Sequence, residues 1–229
     1  MMPDQRRYAS LLLIAVAVAP GCEASAPAAD TAAAEASELV ADAPSVPEAA
    51  ASEPTLDDVR AATERFQDVN VALAEGYIRD PADMCVTAEM EGRSPDEGAM
   101  GVHYFRPDLL GITGPPDPRV DGMGTYTDFS APAVLVYEPQ ADGSMELVGV
   151  ENLVFVRAWE EAGNLDPPSY QGIAYDRMED DPATEVDEAH GFEAHYDRHV
   201  WLYRENPLGV FAPMNPDVTC DYHAPQMAM

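Results

Sequence analysis

The chain carries five histidines, and together with Glu151 and three cysteines they are the side chains whose types and settings could do chemistry. His195 and His199 stand four apart in the run Glu193-Ala194-His195-Tyr196-Asp197-Arg198-His199-Val200-Trp201-Leu202-Tyr203. On a helix that spacing would turn both imidazoles toward one metal, as in zinc proteases. Val200, Trp201, Leu202 and Tyr203 favour extended backbone, so the run reads as a strand. There the two rings share a face but lie roughly 13 Å apart at about 3.3 Å per residue, whereas two ligands of one zinc sit only a few Å from each other. The glutamate of an HExxH helix is also missing, because the positions read His-Tyr-Asp-Arg-His. A metal shared by these two histidines is thereby excluded. His199, with Asp197, Trp201 and Tyr203 on its face, is expected to look into a site, and His195 to lie at a rim or on the surface.

Two further residues could complete that site. His103 belongs to Ala99-Met100-Gly101-Val102-His103-Tyr104-Phe105, a short β-like run covered on both sides and stopped by Arg106-Pro107. Glu151 projects from a second strand among apolar neighbours, where an unpaired carboxylate would cost several kcal/mol or be forced neutral; a cation, a histidine or an arginine must lie beside it. Brought together from different strands, His103, Glu151 and His199 would form a set of two histidines and one carboxylate with open positions for a divalent metal. The same residues with Trp201 and Tyr203 could instead line an apolar small-ligand pocket, which needs few polar groups. A third reading leaves the histidines packed in the core and gives the work to acidic surfaces. The residues identify no reaction, no ligand, no cofactor beyond that divalent metal, and no small-molecule or protein partner.

Composition removes other chemistries. All basic residues are arginine, so a lysine Schiff base is excluded. No phosphate-cradling glycine loop occurs, and Ser130 and Ser144 lie in no nucleophile elbow. The net charge of −30 repels nucleic acid and anionic lipid surfaces.

The elements that must position these residues follow in order. Residues 1–21 join Arg6 and Arg7 to an apolar run from Leu11 to Ala19 and a small-residue junction at Cys22, the pattern of an export signal. The run is shorter than the roughly 20 residues a spanning helix needs. Ala19-Pro20-Gly21-Cys22 resembles a bacterial lipobox, which implies lipid on Cys22, an anchored or otherwise secreted protein, and membrane contact through that anchor only. Residues 22–54, rich in Ala, Ser and Pro and acidic, form a disordered tether. Residues 55–229 are long enough for one core. Their expected class is α+β: one long amphipathic helix from Thr55 to near Gly76, packed on an antiparallel sheet. Residues 111–132 read as a long loop and 160–192 as a solvated acidic one without calcium-loop spacing. The clearest hairpin joins Ala133–Glu138 to Met145–Trp159, with Leu147, Gly149, Glu151, Leu153 and Phe155 on one face. With Cys22 assigned to lipid, Cys85 and Cys220 are an even pair outside the cytoplasm and read as a disulfide.

Three segments taken together, Gly98-Ala99-Met100-Gly101-Val102-His103-Tyr104, Leu147-Val148-Gly149-Val150-Glu151, and His199-Val200-Trp201-Leu202-Tyr203 through Asn206-Pro207, Gly209, Phe211, Asn215-Pro216 and Cys220, resemble a family of uncharacterised exported bacterial proteins. The resemblance covers about residues 66–220. It implies a shared fold and draws attention to those segments without implying a chemistry.

Overall fold

A computed structural model describes residues 52–224; the expected export signal, Cys22 and nearly all of the expected tether lie outside the described residues. Thr55 opens the first helix with a capping box, its hydroxyl accepting from Asp58 N at 3.2 Å while the Asp58 carboxylate accepts from Thr55 N at 3.0 Å. Two otherwise unpaired amide donors are satisfied in this way. Helix α1 (Leu56–Thr63) gives way to a 3-10 turn (Glu64–Gln67) and then to α2 (Val69–Ala74). This corrects the expectation of one long helix. The break has a local cause: Asp68 is extended, and its side chain accepts from Asn70 N at 3.0 Å, starting a new helix as an N-cap. The apolar stripe continues across the break, so periodicity alone does not reveal it.

The remaining elements are β1 (Ile78–Arg79), β2 (Cys85–Thr87), β3 (Ala99–Phe105), α3 (Pro107–Leu110), β4 (Val134–Pro139), β5 (Met145–Phe155), α4 (Val156–Glu161), β6 (Ser169–Tyr170), β7 (Ile173–Ala174), β8 (Asp176–Met178) and β9 (His195–Val200). Strands β6 and β7 pair with each other; the rest form one sheet in the order β1-β3-β4-β5-β9-β8, with β2 also on β3. All its pairings are antiparallel. The α+β class with an antiparallel sheet is therefore what the chain adopts.

Both faces of the sheet are covered. On one, Val59, Phe66 and Ala72 from the helical segment pack with Tyr104, Leu135, Tyr137, Val150, Val154 and Val200. On the other, Phe105, Val134, Leu153 and Phe155 meet Leu110, Val120 and Phe192, which come from the long connections. Every residue of β3, β4 and β9 is buried as a result.

Two local departures from strict alternation matter for the site. Val136 pairs with Gly149 but Tyr137 pairs with Leu147, so Val148 is an extra residue and β5 carries a bulge. The bulge corrects the expected face of Leu147, which joins Tyr137 on the helix side, while Val148 turns to Val136 and Trp201. Strand β9 also ends earlier than expected, at Val200. Beyond it Trp201 N donates to Val210 O at 2.9 Å and Tyr203 N to Val148 O at 3.1 Å, so the chain folds over instead of extending.

Cys85 and Cys220 form a disulfide with Cα atoms 5.8 Å apart and 135 residues between them in sequence, a closure that contributes roughly 4–5 kcal/mol on the chain-entropy account. It ties β2 to the C-terminal coil. The coil reaches it through an Asn-Pro turn in which Asn215 Oδ1 accepts from Asp217 N at 2.9 Å. Asn215 also bridges to Ala99, and a Cβ on neighbouring Gly98 would stand 2.1 Å from Asn215 O at a φ of +80°, a position that only glycine fits.

Candidate metal centre

The sheet register brings side chains from β3, β5 and β9 to the face opposite α1 and α2. Glu151 pairs directly with His199 on one side and with Val134 on the other. His103 is one strand further out and pairs with Val136; Val136 in turn faces Gly149, where a side chain would meet Val200 O at 3.0 Å and the Trp201 ring at 3.3 Å. Glu151 Oε2 lies 3.3 Å from His103 Nε2 and 3.4 Å from His199 Nε2. One donor atom from each of the three residues falls within 4.8 Å of the others. Two ligands bound tetrahedrally to one zinc at about 2 Å lie roughly 3.4 Å from each other, which the two distances from Glu151 match. All three side chains are buried. Glu151 Oε2 and both ring nitrogens of His199 are buried without an aligned hydrogen-bond partner.

Burial pushes the Glu151 carboxyl up, but His199 and then His103 outweigh it and hold the group at about 2. Burial pushes His199 down to about 4 against the pull of Glu151. At His103 burial also acts downward, and the Glu151 carboxylate more than offsets it, leaving the imidazole above its ordinary value. Asp197, buried on the face of His199, is raised well above the carboxylate range by burial and by the charge of Glu151. Its Oδ2 stands 4.0 Å from His199 Nδ1.

Trp201 holds His199 in place. Their rings stack at 5.9 Å with 14° between planes, and the indole Nε1 donates to Ala212 O at 2.6 Å. Tyr203, by contrast, does not reach the site. Its hydroxyl contacts Thr63 Oγ1 and Arg60 O, each at 2.9 Å, on the helix side of the sheet, because the alternation that would have placed it beside Trp201 stops at Val200.

His195 corrects a second expectation. It is fully buried, not at a rim, since Phe192 and His190 close over it with ring centroids 5.6 and 5.7 Å away. Its separation from His199 along β9 keeps it out of the donor set formed with Glu151.

Two residues of the same layer were not singled out by the sequence reading. His190 stacks on His103 at 6.2 Å, and its Nδ1 lies 3.3 Å from Glu91 Oε1; both side chains are buried. Glu91 ends a 3-10 turn after β2, in a stretch that reads as polar loop. His190 follows the acidic run 185–188, which passes from exposed Glu185 to half-buried residues. The signal available for it was the change from acidic residues to Ala189-His190-Gly191-Phe192, where the chain dives inward.

Fold and site together define an α+β domain with a histidine and carboxylate cluster sealed against one face of its sheet. No family model, no curated protein and no solved structure matches this chain.

Proposed function

We propose that the chain is an exported, envelope-tethered protein whose domain binds a divalent transition metal through His103, Glu151 and His199. The observation that carries this reading is the meeting of three donors from three strands, with both imidazole nitrogens at ligand-to-ligand distance from Glu151 Oε2. An ionised carboxylate beside two imidazoles suits zinc and its first-row neighbours, and no thiolate is present to favour a softer ion. The small-ligand pocket is the weaker reading because Tyr203 lies on the opposite face of the sheet. Export is supported by the signal-like start of the chain, by the lipobox-like junction at Cys22, and by a disulfide of the kind that persists in oxidising compartments. A metal held with open positions supplies the means to polarise a carbonyl or activate a water, so a metal-dependent enzyme would use these same ligands.

The test is metal content. After purification without chelator and dialysis, the wild-type protein is expected to retain zinc, and His103→Ala, Glu151→Ala and His199→Ala each to lose an equivalent of it. Metal retention unchanged by all three substitutions would rule the site out.

A further inference from the structure

A carboxyl group buried without a hydrogen bond calls for an explanation, and Asp197 is such a group. Its side chain is 2% exposed, and its Oδ1 has no partner. We propose that Asp197 is the positioning residue of the metal site, accepting from His199 Nδ1–H and so presenting Nε2 to the ion; this rests on His103, Glu151 and His199 being metal ligands.

The two nitrogens of His199 face different groups. Nε2 lies 3.4 Å from Glu151 Oε2, and Nδ1 lies 4.0 Å from Asp197 Oδ2. Strand alternation produces this arrangement: Asp197 and His199 are two residues apart on β9, so both project to the face of Leu153 and Glu151, their partners on β5. Both ring nitrogens are buried without an aligned partner. Trp201 fixes the plane of the ring, but stacking does not distinguish its two nitrogens and leaves the place of the proton open. A metal takes the lone pair of one nitrogen, so the proton of a neutral imidazole sits on the other, and a buried N–H needs an acceptor. With Nε2 turned to Glu151, that acceptor is needed at Nδ1, where Asp197 stands. Metal-bound histidines are characteristically oriented in this way, the second ring nitrogen donating to a carboxylate or a carbonyl.

Asp197 is not itself a member of the donor set, so its part is to act through His199. The separation of Oδ2 from Nδ1 is about 1 Å longer than a charge-assisted hydrogen bond. An ion on Nε2 favours closing that gap, because it polarises the Nδ1–H bond and offsets the negative charge of Glu151, which opposes charge on Asp197. An oxygen of the carboxyl group accepts whether the group is ionised or neutral, so the contact does not depend on its titration.

The test compares two substitutions and one proton. The purified full chain, stripped with EDTA, is titrated with zinc against a chromophoric chelator. Asp197→Asn keeps an accepting oxygen and is expected to retain most of the wild-type affinity, whereas Asp197→Leu, of similar size and without an acceptor, is expected to bind roughly 10- to 100-fold more weakly. Proton–nitrogen correlation spectra of the zinc-loaded wild type are expected to show His199 coordinated through Nε2, with a proton on Nδ1 that exchanges slowly with water. A merely structural role would not protect that proton. Equal zinc affinity in the wild type and Asp197→Leu overturns the role of Asp197 and spares the metal site; a wild type that binds no zinc overturns both. Equal weakening in the Asn and Leu variants reduces Asp197 to packing and overturns the assignment. Should Asp197→Leu fail to fold, the wild-type spectrum decides: coordination of His199 through Nδ1, or an Nδ1 proton in fast exchange, overturns the proposal.

Discussion

The ring of Trp201 lies against that of His199, and this contact decides how firmly one donor of the site is held. His199 has no hydrogen-bonded carbonyl or carboxylate to fix its orientation, so the aromatic stack and the indole anchor to Ala212 O take over that task. Trp201→Leu removes the flat support while keeping the position apolar. Zinc affinity is expected to fall by about tenfold, the lower end of what is lost when the groups that orient a metal ligand are removed. Competition with a fluorescent chelator measures this, and an affinity equal to wild type would show that Trp201 only fills space. At this scale the sequence was informative about His103, Glu151, His199 and Trp201, whose positions in apolar strands leave few places for their polar groups to go. It was misleading about His195 and Tyr203. Residue type and alternation state which side of a strand a group takes, not what closes over that side or where the strand stops.

Elements determine the second of those failures. Strand β9 ends at Val200, and the chain that follows is drawn over the bulge at Val148, where Tyr203 N and Arg204 N both donate to Val148 O. Tyr203 is thereby delivered to α1, where its hydroxyl meets Thr63 Oγ1 and Arg60 O. Tyr203→Phe is expected to lower stability by about 1 kcal/mol, the net worth of a typical hydrogen bond, and to leave zinc affinity unchanged. Chemical unfolding and metal titration of the same variant check both parts; a loss of affinity without a loss of stability would return Tyr203 to the site. Strands β3, β4, β5 and β9 could be read from their residues because buried β-branched and aromatic runs between turn-forming residues have few alternatives. The bulge and the helix break at Asp68 could not, since each depends on a single hydrogen-bond choice that leaves the apolar pattern intact.

For the whole molecule, the described domain is closed by one long-range covalent tie, Cys85 to Cys220, and carries a large negative charge. An acidic chain is not drawn to anionic lipid by its surface, so membrane attachment, if the lipobox reading is right, must reside in Cys22 alone. Cys22→Ala is expected to shift the protein from the membrane to the soluble fraction; retention in washed membranes would contradict the anchor. The α+β class and the pairing of Cys85 with Cys220 were determined by the sequence by itself, because they depend on local pattern: the strands and the even pair of cysteines. The meeting of His103, Glu151 and His199 was decided only by tertiary structure. It depends on β4 lying between β3 and β5 and on β9 pairing in register with β5. The approach of Glu91 and His190 depends on two distant connections folding onto the same face. Strand order and loop docking arise from contacts between segments far apart in the chain, and no local periodicity contains them.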